Sequence, residues 1–157
     1  MGGALTAIGF CIYALIRSGE FLFLDHVNLP FHEFGHLFFS IFGEMIGIWG
    51  GTLMQLIIPF GILVYFFIRR ETAGVFFCGL WLGENLLNIG VYINDARTLA
   101  LPLVGSGDHD WNIILGSLNM LRHDHYIAAI VKSLGWFIML ASIVWFLVMG
   151  MRARGES

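Results

Sequence analysis

Charge is what this sequence has least of. Aspartate, glutamate, lysine and arginine make up 12% of its 157 residues, about half the share of an ordinary soluble domain. Its surface is therefore not built for water. A net charge of −3 leaves no basic surplus to meet phosphates, which excludes nucleic acid as a partner. Cysteine is scarce as well: Cys11 and Cys78 both lie in apolar stretches, where a thiol serves as a small hydrophobe, so no disulfide scaffold holds the fold. Three prolines exclude a collagen-like fibre, and the shortage of charge excludes a disordered chain. No repeat or low-complexity linker interrupts the sequence, which reads as one domain over 1–157. The first apolar run has neither a basic leader nor a small-residue cleavage site after it, so a cleaved signal peptide is not expected there.

What is present is apolar. Hydrophobic residues reach 58%, with twenty glycines and fifteen phenylalanines, and mean hydropathy is +0.82. So few polar side chains cannot coat a packed core of this size, and a bilayer does not require them to. The expected fold class is all-α, a polytopic membrane bundle of about four spanning helices, a short partly inserted helix and an interfacial one.

A crossing needs about 20 apolar residues. Met45 to Ile68 supplies 24 without a charge, Ser133 to Met151 another 19, and Thr72 to Asn94 gives 23 with only Glu84 charged. Spanning helices are therefore expected over 45–69, 72–94 and 126–152, with a first helix over 1–25 that would carry Arg17 and Glu20 inside it. The stretch 29–43 is too short to cross comfortably and opens with Pro30, which suits the first turn of a helix. Arg69 and Arg70, and then Arg152 and Arg154, fall in the cytoplasm by the positive-inside bias. The C-terminus is then cytoplasmic, and the 95–125 loop lies on the extracytoplasmic face. Within that loop Trp111, Ile114, Leu115 and Leu118 recur at helical spacing, which predicts a short amphipathic helix at the interface, with Trp111 and Tyr126 as aromatic anchors.

The short segment holds His32-Glu33-Phe34-Gly35-His36, an H-E-x-x-H pattern. On a helix the two imidazoles stand one turn apart on one face and can share an ion, with zinc the natural choice. Glu33 lies about 100° further round, where it reaches a water on the metal better than the metal itself, the geometry of a general base. Ionisable groups in lipid cost about 2.5–3.5 kcal/mol each at mid-depth, so three within five residues are unlikely ornaments. Two quieter uses stay open: a polar helix end with hydrogen-bonded histidines and a solvated Glu33, or a structural metal site.

With that motif the sequence resembles the intramembrane zinc metalloproteases of the site-2 protease type. Their G-x-x-x-[N/S/G]-x-x-x-P motif has a counterpart in Gly51, Gln55 and Pro59, with Gln55 departing at the middle position. The resemblance implies that these three bind substrate, with Gln55 offering its amide to a substrate backbone. It also implies an aspartate as third zinc ligand. Neither usual setting, L-D-G or N-P-D-G, occurs, and the nearest equivalent is Asp95 at the end of the 72–94 helix; His109 or Asp110 are alternatives on the same face. The expected function is an intramembrane Zn2+-dependent peptidase. Its partners would be the lipid bilayer, a membrane protein or peptide as substrate, and other membrane subunits. A non-catalytic subunit of a membrane complex is the alternative.

Overall fold

The computed structural model describes residues 9–14, 16–17, 22–102 and 109–155. Among the described residues every regular element is helical. The helix expected over 1–25 falls largely outside them; residues 9–14 are helical and are termed α1. Then come α2 (Asp25–Ser40), α3 (Glu44–Ile68), α4 (Thr72–Asn94), α5 (Asp110–Ser117), a 3-10 turn (Leu121–His123) and α6 (Asp124–Gly155). Three helical stretches, Glu44–Ile68, Thr72–Asn94 and Leu121–Ala153, are long and apolar enough to cross a membrane. At 25 residues α3 extends about 38 Å, enough for a hydrocarbon core of about 30 Å.

Two boundaries differ from the sequence reading. The metal-motif helix starts at Asp25 rather than residue 29, which puts Pro30 inside it. At that start Asp25 accepts the Leu22 amide, which fixes how the chain enters the helix. Helix α2 then ends at Ser40, and the chain turns through Gly43 at φ 119°, a conformation that suits glycine. The other difference concerns α5. Its residues Trp111, Ile114 and Leu115 are buried against Ile89, Ile93 and Ala96 at and just past the end of α4. Trp111, expected as an interfacial anchor, meets Trp49 edge to face with ring centroids 5.4 Å apart. The apolar face of α5 was legible, but a protein surface satisfies it as well as lipid does. Tyr126 is exposed.

Helix α4 packs between α3 and α6 and is the most buried of the three long helices. Against α6 it crosses at Gly83 and Gly135, where a Cβ on either glycine would stand 2.6–2.7 Å from the other's carbonyl oxygen. Such small-residue contacts let backbones meet where lipid offers no hydrophobic drive. The outer side of α6 is apolar along its length: Tyr126, Ile130, Leu134, Phe137, Leu140, Val144, Leu147 and Met151 are all exposed.

Polar residues instead form stripes that face inward. On α2 they are Asp25, Asn28, His32 and His36; on α4, Glu84, Asn88 and Tyr92. Between them α3 presents Gly47, Gly51 and Gln55 at four-residue spacing. Replacing Gly135 by valine is expected to force α4 and α6 apart at a cost of about 1–3 kcal/mol, read as a lowered unfolding temperature in detergent with metal content per folded chain unchanged.

Candidate metal centre

The centre begins with a backbone contact. Gly35 of α2 and Gly50 of α3 pack so closely that a Cβ on either would collide with the other's carbonyl. One residue on, Gly51 faces the histidines: a Cβ there would lie 2.6 Å from His36 Nε2 and 2.7 Å from His32 Nε2. Gly51 thus leaves the space into which both ring nitrogens project.

Each imidazole is oriented through its other nitrogen. Gln55 donates its amide N–H to Asn88 Oδ1 at 2.9 Å, which turns Gln55 Oε1 toward His32 Nδ1 at 3.1 Å. His36 Nδ1 lies 2.8 Å from the Gly47 carbonyl oxygen. Both acceptors require a proton on Nδ1, so each neutral ring presents the lone pair of Nε2, the arrangement that prepares histidine for a metal.

Asp110, first residue of α5, completes the group. Its Oδ2 lies 3.0 Å from His32 Nε2 and 3.3 Å from His36 Nε2, and all three ligand atoms fall within 4.8 Å of one another. Two ligands at about 2.05 Å from a tetrahedral zinc stand about 3.3 Å apart, so the Asp110 spacings fit such an ion. Three lone pairs converging this closely also demand positive charge among them. Where protons rather than an ion fill the gap, burial pushes the Asp110 carboxyl up, but hydrogen bonds from the protonated rings of His32 and His36 outweigh it and hold the group below its usual range. Two nitrogens and one carboxylate oxygen, with a fourth direction toward a cavity, are a donor set zinc accepts.

Asp95 serves elsewhere. Its Oδ1 accepts the Ala100 amide at 3.0 Å and the Thr98 hydroxyl, and its Oδ2 accepts the Leu101 amide at 3.0 Å. It braces the loop after α4, in which Leu99 is held at φ 51°. His109 faces Asp95 as well, Nε2 to Oδ2 at 3.5 Å, while its Nδ1 accepts the Asn112 amide. The structure therefore brings Asp110, and neither Asp95 nor His109, to the histidine pair. Pro59 is buried within α3 but does not line the cavity.

A cavity of about 710 Å³ opens beside the three ligands. Glu33 lines it, and no hydrogen bond to another described residue engages its carboxylate. Leu29, Ile48, Ile89 and Ile113 make apolar walls. Thr52, which is buried, lines it too, and its Oγ1 has no partner. Tyr92 accepts the Asp110 amide at 3.3 Å through its hydroxyl oxygen, so it both steadies the ligand loop and borders the cavity. Asn88, Thr52 and Tyr92 were not singled out in the sequence. For Asn88 and Tyr92 the available signal was the four-residue recurrence of polar groups along α4.

No known family model, curated protein or solved structure matches this chain.

Zinc titration of the purified protein should rank three variants. Asp110→Ala and Gly51→Ala are each expected to lose at least tenfold in affinity, one by deleting a donor and the other by displacing both rings. Asp95→Ala should lose less, because it disturbs Asp110 only through the loop.

Proposed function

We propose that this chain is a small intramembrane zinc-dependent peptidase, similar to the site-2 protease type, that hydrolyses a peptide bond of a membrane protein or peptide in or near the bilayer. The observation that carries the reading is the meeting of His32, His36 and Asp110, with their nitrogens oriented from behind, at the edge of a cavity that Glu33 also lines. A metal held only for structure has no need of a neighbouring carboxylate and a cavity of substrate size. When bound, zinc supplies Lewis acidity, which acidifies water and polarises a carbonyl.

The residues of the chain have separate tasks. His32, His36 and Asp110 hold the ion. Glu33 Oε accepts the proton of the attacking water and returns it to the leaving amine, as a general base and then acid. The apolar walls exclude bulk water, which strengthens each electrostatic interaction inside. Gln55 carries a role different from the one the resemblance implies, because its amide is engaged by His32 and Asn88; it orients a ligand rather than a substrate. Thr52, with its unpartnered hydroxyl, is the better group to hold a substrate backbone.

In this reading α1 belongs to a fourth spanning helix, and α2 enters the bilayer from the face where α3 starts and α4 ends. The arginines at 69–70 and 152–154 put the opposite ends of the bundle in the cytoplasm. The site then lies toward the extracytoplasmic face, and substrate enters between helices. Glu33→Gln is expected to keep about one zinc per chain and to abolish cleavage of a transmembrane peptide library reconstituted with the protein, monitored by mass spectrometry. Cleavage at an unchanged rate removes Glu33 from the mechanism, and zinc binding without cleavage by the unaltered protein favours the non-catalytic membrane subunit.

A further inference from the structure

A second polar group lies deeper in the bundle and supplies none of the three candidate metal ligands, although Asp25 also lines the larger cavity. Asp25 at the start of α2 and Glu84 in the middle of α4 are 2% and 0% exposed. Their carboxyls stand within hydrogen-bonding reach of each other. Asn28 fastens one side of the group, donating to Glu84 Oε2 at 2.9 Å while its own Oδ1 accepts the Trp81 indole N–H at 2.7 Å. Asp25 Oδ2 is occupied by the Leu22 amide. One oxygen on each acid, Asp25 Oδ1 and Glu84 Oε1, is buried with no donor. Both residues line a small cavity of about 50 Å³, of the size that holds little more than water.

We propose that Asp25 and Glu84 form a proton-binding site, in which the two carboxyls hold one proton between them and its occupancy fastens the N-terminal end of α2 to α4. Two ionised carboxylates in contact in a low-dielectric interior repel strongly, and neither can ionise fully while the other is charged. A single proton turns two acceptors into a donor–acceptor pair and gives the orphaned oxygens the donor they lack. The tidy supply of amide donors to the remaining oxygens argues that the arrangement is built rather than accidental.

Other charged and titratable groups border the site. Arg17 precedes α2, His26 follows Asp25 on α2 itself, and Lys132 reaches in from α6, its side chain packed along Gly90. Lys132 makes no ion pair with either acid. Lys132 therefore does not neutralise the pair.

The consequence reaches α2. His32 lies two turns beyond Asp25 on the same helix, and Asn88, one turn beyond Glu84, lines both cavities and orients Gln55. Removing the proton sets like charges across the contact between the start of α2 and the middle of α4. Proton occupancy is thus a latch on α2, and it stands whether or not the metal centre is catalytic.

The experiment is infrared difference spectroscopy of the full chain in lipid, titrated from mildly acidic to alkaline pH, together with amide exchange of α2. The unaltered protein should show the carbonyl stretch of a buried protonated acid, lost on alkalinisation as exchange at the start of α2 rises relative to α4. Glu84→Gln, which keeps a neutral donor in place, should lack the band and keep α2 protected at alkaline pH. Asp25→Asn should shift the band, because the acceptor of the shared proton changes from carboxylate to amide. A band absent from the unaltered protein, or one that neither substitution moves, overturns the proposal. So does α2 exchange with the same pH dependence in Glu84→Gln as in the unaltered chain.

Discussion

The site rests on the closeness of two helix backbones. At Gly35 and Gly50 the helices α2 and α3 touch without intervening side chains, and Gly51 then leaves the pocket that receives the Nε2 atoms of His32 and His36. Any side chain at these positions would push α2 outward and separate the imidazoles from Gln55 and Gly47, whose oxygens orient them. The small residues thus do two things that a membrane protein cannot obtain from hydrophobic burial alone. They permit van der Waals packing between helices, and they create a polar niche shielded from lipid.

Around that contact the bundle divides its surfaces by polarity. The outer side of α6 is apolar, suited to hydrocarbon, while buried polar side chains gather between α2, α3 and α4: Asp25, Asn28, Thr52, Gln55, Glu84 and Asn85. Each inward polar group costs free energy unless partnered. Most are partnered here: Asn28 with Glu84 and Trp81, Gln55 with His32 and Asn88, Asp95 with its loop. The exceptions, Thr52 Oγ1 and one oxygen each of Asp25 and Glu84 among them, mark the cavity wall and the carboxyl pair. The other unsatisfied groups among the described residues, on Asn85, His109 and Trp111, lie outside both.

The parts legible in the sequence were those that local spacing decides. An H-E-x-x-H pattern fixes the relation of His32, Glu33 and His36 as soon as a helix forms, and the uncharged runs define α3, α4 and α6 within a few residues. The third ligand was not decided by spacing, since Asp95, His109 and Asp110 all lie on one connecting segment. What separates them is tertiary: Asp95 caps its own loop, His109 turns back toward Asp95, and the docking of α5 on α4 delivers Asp110. The partner of α5 was open for a similar reason, because an apolar helix face does not say whether lipid or protein covers it. From the sequence Glu84 was expected to pair with Arg17 or to hydrogen-bond within the bundle, and its neighbour Asp25 became visible only once α2 was found to begin a turn earlier.

The account turns on the identity of the atoms that would hold one metal ion. Zinc K-edge X-ray absorption of the zinc-loaded protein, compared with Asp110→Ala, tests this most directly. The expected spectrum shows two imidazole nitrogens and a carboxylate oxygen at about 2.0–2.2 Å, with the carboxylate contribution absent from the variant. A first coordination sphere containing sulfur, or one that is the same with and without Asp110, would contradict the central claim.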